Sequence, residues 1–220
     1  MNKVTAIMSV YNADQYLVHK IKNIKQSTID IDIAILEVCN KSTIDLTKYA
    51  TYYEYSPNLI TIYEAWNRLI KASTTPYIVT TNCDDLVHPK AYELQSQKLE
   101  DGFDISYFNY YVTNGYTKTW EEAKQTTNFY NTPPNGYVIG CGLGPFAMWK
   151  KSLHEKYGYF DEKLKVFGDS WFWTILEKSK QIKWGHIDQI LGSCARTGNN
   201  LEIREGDLDE PRLEELRKTL

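Results

Sequence analysis

The sequence has few cysteines, no clustered basic stretch and no long apolar run, and each absence excludes a class of protein. Its 220 residues include only 4 cysteines, widely spaced and without a Cys-x-x-Cys pair, which argues against a disulfide framework or a structural zinc site. The 25 basic residues are scattered and are outnumbered by 28 acidic ones, so we do not expect a nucleic-acid partner. Reduced thiols, and therefore the cytoplasm, are the expected setting.

The apolar runs are too short for a membrane-spanning protein. None of them approaches the ~20 consecutive apolar residues that a transmembrane helix needs, and residues 1–8 lead into a strand-like segment without a cleavable leader. The sequence therefore predicts a soluble protein, with any membrane contact at its periphery. The chain is long enough for one substantial core, and we predict a single domain with an elaborated second half.

The first hundred residues alternate between strand-like and helical segments. Short β-branched runs at 4–10, 31–38 and 76–80 predict buried strands, and each run ends in polar residues. Apolar residues at helical spacing predict helices over about 16–24 and 61–72. This order predicts an α/β fold with a mostly parallel, Rossmann-like sheet, helices on both faces and ligands at the carboxyl ends of the strands.

After about residue 102 the pattern becomes less regular. We predict strands at 104–112 and 136–149 on either side of an irregular stretch rich in asparagine and proline, and helices at 152–157 and 170–180. The charged tail from residue 207 onward predicts a terminal helix, because a proline lies near its start.

The most informative residues follow the strand predicted at 76–80. There the run Asn82-Cys83-Asp84-Asp85 places carboxylates at the end of a buried strand, where open α/β sheets bind ligands. Hard oxygen ligands at that point suit a divalent cation that carries phosphates. Alone, an Asp-Asp pair is more typical of a turn into a helix, here with Pro89 and Lys90 as its first residues. Other motifs must decide between these interpretations.

Five short motifs, taken in order, resemble those of family 2 of the GT-A glycosyltransferases. They are Ser9-Val10-Tyr11-Asn12, Asn40-Lys41-Ser42-Thr43-Ile44-Asp45, Ala65-Trp66-Asn67, Asn82-Cys83-Asp84-Asp85, and Gly158-Tyr159-Phe160-Asp161-Glu162 followed by Gly168-Asp169. The resemblance covers roughly residues 4–200 and depends on order and spacing. It implies a GT-A fold with a nucleotide-sugar-binding half over about 1–101, an acceptor half over about 102–206 and a terminal helix at 207–220.

The resemblance also implies roles on the donor side. Tyr11 and Asn12 are expected to line the nucleoside pocket, and Cys39 and Asn40 occupy the positions of the family's paired acidic residues near the base. Asp84 is expected to bind the cation, Mn²⁺ or Mg²⁺, that accompanies the donor diphosphate. The remaining donor-binding candidates are Asn67, Asn82, Asp85 and Arg196.

On the acceptor side, Asp169 falls at the position of the family's catalytic base, which would take the proton of an acceptor hydroxyl. Trp171 and Trp173 follow it and are acceptor-side candidates. A single displacement of this kind inverts the anomeric configuration. Two plainer interpretations stay open from the residues alone, since Asp169 could cap a helix that starts near Ser170 and both tryptophans could belong to the core.

The implied activity is transfer of a sugar from a nucleotide-diphosphate donor to a glycan or other hydroxyl acceptor, in surface glycan biosynthesis close to a membrane. One alternative is a sugar- or nucleotide-binding protein on a degenerate scaffold. It is favoured by Asn82 in place of an acid, by Gly168, and by the absence of a histidine near Arg196. Another is a nucleotidyltransferase, although the glycine-rich loop expected after Val10 is missing.

Overall fold

A computed structural model describes residues 2–138, 142–197 and 206–219 of the chain, which form one nine-stranded sheet with helices packed on it. The strands are β1 (Val4–Val10), β2 (Asp32–Val38), β3 (Tyr52–Ser56), β4 (Tyr77–Thr80), β5 (Leu86–Val87), β6 (Ile105–Asn114), β7 (Phe129–Tyr130), β8 (Met148–Lys150) and β9 (Trp184–Arg196). The helices are α1 (Asp14–Ile24), α2 (Ile62–Ala72), α3 (Ala91–Glu100), α4 (Trp120–Ala123), α5 (Ser152–Tyr157), α6 (Gly168–Ser179) and α7 (Glu210–Arg217).

The strand order is β3-β2-β1-β4-β8-β6-β9-β5, with β7 beside β6. β1 pairs in parallel with β2 and β4, and β2 pairs in parallel with β3. β8 runs antiparallel to both β4 and β6 and so joins this parallel half to the long parallel pair of β6 and β9. The predicted α/β fold with a mostly parallel sheet is confirmed, and the carboxyl ends of β1, β2 and β4 lie at one edge.

Helices pack on both faces of the parallel half of the sheet. Successive residues of a strand point to opposite faces, so neighbouring residues of β1 contact different helices. Ile7 of β1 packs in the buried cluster that contains Leu69 of α2, whereas Met8 packs in the cluster that contains Leu17 of α1. The predicted helices on both faces are therefore confirmed, and α1 and α2 approach the ligand edge from opposite sides.

Helix α2 has a well-defined start. The hydroxyl of Thr61 accepts a hydrogen bond from the backbone N–H of Glu64 at 3.1 Å, which satisfies one of the free donors of the first turn. From there Trp66, Leu69 and Ile70 are buried on one face, and burying each such side chain contributes roughly 1.5–3 kcal/mol. This anchoring matters because α2 carries side chains that line the cavity described below.

The second half differs most from the sequence prediction. The strand predicted at 136–149 is confined to β8, and residues 142–147 form a loop, while 139–141 lie outside the described residues. Gly144 has φ of +74°, and a Cβ there would lie 2.3 Å from the Tyr110 ring. Glycine at this position allows the loop to approach that ring, and this conformation interrupts the strand.

The 13-residue strand β9 was not predicted at all. Its pairing with β6 shifts register between Phe108 and Asn109 and again before Tyr110, so no simple alternation runs through it. Gly192 is also required by packing, because a Cβ there would lie 2.7 Å from the ring of Phe146. The strand depends on tertiary contacts that local sequence patterns do not show.

The stretch predicted to be irregular, 113–135, contains the short elements α4 and β7. It packs beside α1, where Tyr116 and Tyr16 lie with ring centroids 4.7 Å apart. Two helix starts also differ from the prediction: α3 begins after Pro89 and Lys90, with Lys90 at its N-cap, and α6 begins at Gly168. Within the described ranges no helix combines the length and apolar character needed to cross a membrane.

Candidate active site

A cavity of about 1130 Å³ opens at the carboxyl ends of β1 and β4. Ligand sites in proteins commonly measure about 300–1,000 Å³, so this one has room for a nucleotide and a second group. Its walls come from both halves of the sheet. The lining residues that matter below are Tyr11, Asn12, Tyr63, Trp66, Asn82, Asp84, Asp85, Tyr110, Lys165, Val166, Asp169, Trp173, Cys194 and Arg196.

The acidic loop, which we define as residues 82–85, follows β4 directly. Asp85 is only 3% exposed, and its two carboxylate oxygens accept hydrogen bonds from the backbone N–H of Ala195 at 3.1 Å and the side-chain amide of Asn82 at 3.0 Å. The Asp85 carboxylate therefore ties the loop to β9. Asp84 is partly exposed, lines the cavity and is the more accessible of the two carboxylates.

A buried ammonium group lies beneath this loop. Lys20 of α1 is 1% exposed, and its Nζ donates to the backbone carbonyl of Asp85 at 2.9 Å. Burial lowers the pKa of Lys20 to about 8, although the nearby Asp85 opposes this shift. Burial and the charge of Asp84 together raise the pKa of Asp85 to about 7, while Lys20 acts in the opposite direction. Burial also raises the pKa of Asp84.

The sequence analysis did not identify Lys20 as part of the site. The signal was available, because Lys20 lies three residues after Leu17 and four before Ile24, on the apolar face of α1. A lysine on such a face must find a partner or lose its charge. Here it offsets part of the negative charge of the two neighbouring carboxylates.

The ends of β1 and β2 meet beside the acidic loop. Tyr11 is 51% exposed and lines the cavity together with Asn12, whose φ is +49°. Cys39 also has a positive φ, +64°, and the side-chain amide of Asn40 lies 3.4 Å from that of Asn12. Unusual backbone conformations of non-glycine residues cluster at functional sites. Cys39 and Asn40 adjoin this edge but are not among the cavity's lining residues.

Asn67, one of the predicted donor-binding residues, is not among the residues that line the cavity. It is 1% exposed, and its amide donates to the carbonyl of Phe160 at 2.9 Å and to the Glu162 carboxylate at 3.0 Å. Its carbonyl oxygen accepts from the backbone N–H of Phe160 at 3.1 Å. Asn67 therefore holds the 158–162 loop against α2 and does not reach the cavity.

Asp169 lies in the first turn of α6 and lines the cavity. It is not the N-cap, which is Phe167, so the helix-cap interpretation does not describe its place. One carboxylate oxygen accepts from the N–H of Ser170 at 2.7 Å and lies 3.1 Å from the Tyr63 hydroxyl. Burial raises the pKa of Asp169, and these hydrogen bonds work in the opposite direction.

Close packing explains the glycine before this carboxylate. A Cβ on Gly168 would lie 2.7 Å from the ring of Tyr63, so a larger residue would push that ring away. Tyr63 was not identified from the sequence, although it lies three residues before Trp66 on the same face of α2. Its hydroxyl also donates to the backbone carbonyl of Val166.

The two acceptor-side tryptophans differ in their relation to the cavity. Trp173 lies one helical turn after Asp169 and lines the cavity, with its ring 5.5 Å from that of Trp149. Both tryptophans are buried in the main hydrophobic cluster, and Trp171 is not a lining residue. Positive charge reaches the cavity through Arg196, at the end of β9, and through Lys165, which the sequence did not indicate.

The described residues contain no group of three or more His, Cys, Asp or Glu side chains arranged to hold a metal ion. Mn²⁺ and Mg²⁺ do not require such a group, since Mg²⁺ is commonly bound by one or two carboxylates together with substrate phosphates and water. Asp84 supplies one accessible carboxylate, and the acidic loop carries excess negative charge. These residues fit a cation that arrives with a diphosphate.

The fold is shared with solved glycosyltransferase structures. TarS from S. aureus superposes with a TM-score of 0.71 at 12% identity, covering 88% of this chain and 37% of TarS. TarS 1–349 in complex with UDP-GlcNAc gives 0.68 at 16% identity, covering 90% of this chain and 60% of that one. The mannosyltransferase PcManGT from Pyrobaculum calidifontis, in complex with GDP-Man and Mn²⁺, gives 0.64 at 14% identity, covering 98% and 64%.

The chain thus spans between about a third and two thirds of the length of these neighbours, and at such identities the likeness concerns the fold. The chain matches no curated protein sequence. The family model described as Glycosyl transferase family 2 matches residues 5–158, which is well over half of the chain. The match includes β1, β2, β4 and the acidic loop, and the protein belongs to glycosyl transferase family 2.

Proposed function

We propose that the protein is an inverting glycosyltransferase that moves a sugar from a nucleoside diphosphate to an acceptor hydroxyl. The observation that carries this proposal is the placement of Asp84 and Asp169 on the same cavity, one from the loop after β4 and the other from the first turn of α6. One carboxylate lies beside a buried lysine at the end of β4, and the other lies in a helix turn among neutral hydrogen-bond donors. Family membership and the solved neighbours support the same activity.

On the donor side, Tyr11 and Asn12 would contact the nucleoside and Asp84 the diphosphate. A divalent cation bound there, Mn²⁺ or Mg²⁺, would neutralise charge that builds on the leaving diphosphate. Arg196 lines the cavity and would add positive charge near the phosphates. Asp85, Asn82 and Lys20 would hold the acidic loop in place, because their polar groups are already bonded to one another and to β9.

On the acceptor side, Asp169 would accept the proton of the attacking hydroxyl. The acceptor oxygen forms a bond to the anomeric carbon as the bond to the diphosphate oxygen breaks, and the nucleoside diphosphate leaves. Asp84, Asp85 and Asp169 are the carboxylates among the described lining residues, and the first two belong to the donor side. A single base on the opposite side suits one direct displacement, which inverts the configuration at the anomeric carbon.

The setting that we propose is surface glycan biosynthesis in the cytoplasm, close to a membrane, with a glycan or other hydroxyl compound as acceptor. This part of the proposal follows from the family. Trp173 lies beside Asp169 on the cavity wall and would contact the acceptor, since aromatic rings are suited to sugar faces.

The proposal is tested by incubating the protein with a panel of UDP- and GDP-sugars and a panel of glycan acceptors, with Mn²⁺ or with a chelator, and measuring release of nucleoside diphosphate. We expect release from one donor class, faster with Mn²⁺, and loss of release in an Asp169→Asn variant that still binds the nucleotide. The anomeric configuration of the product, followed by NMR, should be opposite to that of the donor. Nucleotide binding without release from any donor would contradict the proposal and favour a binding protein on this scaffold.

A further inference from the structure

The C-terminal segment, which we define as residues 206–219, lies beyond the family match and contacts the turn that precedes Asp169. Asp209, at the end of a 3₁₀ turn (Gly206–Asp209), is 1% exposed. Its carboxylate accepts hydrogen bonds from the backbone N–H groups of Lys165 at 2.7 Å, Val166 at 2.7 Å and Phe167 at 2.8 Å. Three successive N–H groups on one carboxylate form a compact anion-binding nest, and such charge-assisted bonds are among the stronger ones in proteins.

A second contact fixes the same segment to the 158–162 loop. The Nε and Nη2 atoms of Arg212 donate to one carboxylate oxygen of Asp161 at 2.9 and 2.7 Å. The other oxygen of Asp161 accepts from the backbone N–H of Lys163 at 2.9 Å. Helix α7 therefore holds the chain near Asp161, and Asp209 holds it again at 165–167, immediately before α6.

A continuous set of hydrogen bonds leads from Asp209 to Asp169. The N–H of Val166 donates to Asp209, and the carbonyl of the same residue accepts from the Tyr63 hydroxyl. That hydroxyl also lies 3.1 Å from a carboxylate oxygen of Asp169. A hydroxyl has one proton to donate, so the position of Val166 affects how far the Tyr63 proton is shared with Asp169.

We propose that Asp209 is a positioning residue for the transfer reaction, acting through Val166 and Tyr63 on Asp169. The C-terminal segment would thus complete the acceptor side of the site. This inference rests on the proposed function, because it takes Asp169 to be the base. It predicts that a substitution of Asp209 lowers kcat and leaves the affinity for the nucleotide unchanged.

The test uses an Asp209→Asn variant of the full chain, with Glu210→Gln as the matched control. Glu210 is the next residue, is exposed, and pairs with Arg217 at 2.6 Å on the outside of α7. In Asp209→Asn we expect kcat on the acid side of its pH profile to fall by up to about 10-fold, because the effect is transmitted through the Tyr63 hydroxyl and should not exceed that of Tyr63→Phe. The Kd for UDP or GDP with Mn²⁺ should stay within about twofold, because the donor side is untouched.

Hydrogen exchange gives a readout that does not depend on activity. The N–H groups of residues 165–167 should exchange faster in Asp209→Asn and at the wild-type rate in Glu210→Gln. If the wild type releases nucleotide from no donor, the proposed function fails, and the exchange data still decide whether Asp209 orders this turn. Unchanged exchange at 165–167, or unchanged kcat, would overturn the inference.

A double-mutant cycle separates this role from a general loss of folding. Because Asp209 acts through Tyr63, the combined Asp209→Asn and Tyr63→Phe variant should lose less kcat than the product of the two single losses. Losses that simply multiply would show that Asp209 acts independently of Tyr63, and a parallel loss of nucleotide binding would show a merely structural role. Should Asp209→Asn fail to fold, Arg212→Gln weakens the same segment from its other contact and should give the same split.

Discussion

The acidic loop and the first turn of α6 present the same functional group to one cavity in two different surroundings. At the acidic loop, Asp84 and Asp85 are adjacent and share the buried ammonium of Lys20. At α6, the hydrogen bonds described for the Asp169 carboxylate come from a backbone N–H and the Tyr63 hydroxyl, which are neutral donors that oppose the effect of burial on its pKa. Burial raises the pKa of all three carboxyls. The influences that lower it include a charged ammonium at the acidic loop, whereas at α6 they are neutral hydrogen-bond donors.

The different surroundings suit aspartate to bind a cation at the acidic loop and to accept a proton at α6. A pair of carboxylates with only one positive charge nearby attracts a further cation, and a diphosphate can bring one. A lone carboxylate with neutral donors and a raised pKa is better suited to accept a proton. The comparison therefore predicts that the two regions fail separately when they are altered.

The largest effect is expected from Asp169→Asn, which keeps the shape of the side chain and removes its basicity. Turnover should fall by about 10²–10⁴-fold, the usual contribution of a general base. Nucleotide affinity should not change, because the donor side is intact. Release of nucleoside diphosphate and calorimetric titration measure the two quantities, and Asp30→Asn, at an exposed position, is the control. Retention of full turnover would remove the base assignment.

The next largest effect is expected from Asp84→Asn. With Mn²⁺ present, the Kd for UDP or GDP should rise by about 10- to 100-fold, which corresponds to roughly 1.4–2.7 kcal/mol. In a chelator the variant and the wild type should bind equally, because the carboxylate acts through the cation. Calorimetry under both conditions measures the effect. Equal weakening with and without Mn²⁺ would contradict a cation-binding role for Asp84.

Lys20→Met tests whether the buried ammonium distinguishes the acidic loop. Its removal leaves the Asp85 carbonyl without this buried donor, and we expect the free energy of unfolding to fall by about 1–3 kcal/mol. Without the positive charge, the pKa of Asp85 should also rise further. Urea denaturation measures the change, with Lys22→Met, exposed on the same helix, as control. A variant as stable as Lys22→Met would show that Lys20 contributes no net stabilisation there.

The smallest effect is expected from Tyr63→Phe, which removes a hydrogen bond that lowers the pKa of Asp169. The base works only when ionised, so turnover declines as pH falls through that pKa. Because the pKa is higher in the variant, the decline should begin at higher pH, by up to about one unit. The pH profile of kcat measures this shift, with Tyr52→Phe as control. If kcat declines at the same low pH in the variant and the wild type, Tyr63 does not affect the pKa of Asp169.

The sequence predicted most of the parallel half because its signals are local. The strands β1, β2 and β4 are short β-branched runs, and their carboxyl ends placed Tyr11, Asn12 and Asp84 at one edge. Local spacing also placed Trp173 one turn after Asp169. The strands and helices required only local periodicity, and the rule that ligands gather at the carboxyl ends singled out the acidic loop, whereas the roles of Tyr11, Asn12, Trp173 and Asp169 came from the resemblance to family 2.

What the sequence did not show depends on contacts between distant residues. β9 is defined by pairing with β6 across register shifts, and Asn67 is held by a loop more than ninety positions away. Asp209 binds backbone N–H groups, which carry no side-chain signal that a sequence can reveal. Lys20 was a different case, since its place on an apolar helix face was visible and was not used.

The most direct test of this account is to compare Asp84→Asn and Asp169→Asn by calorimetric titration with UDP and GDP, with and without Mn²⁺. We expect Asp169→Asn to bind the nucleotide like the wild type, and Asp84→Asn to lose the part of the affinity that Mn²⁺ provides. Equal loss of affinity in both variants, or no loss in Asp84→Asn, would contradict the division of the cavity into a donor side and an acceptor side.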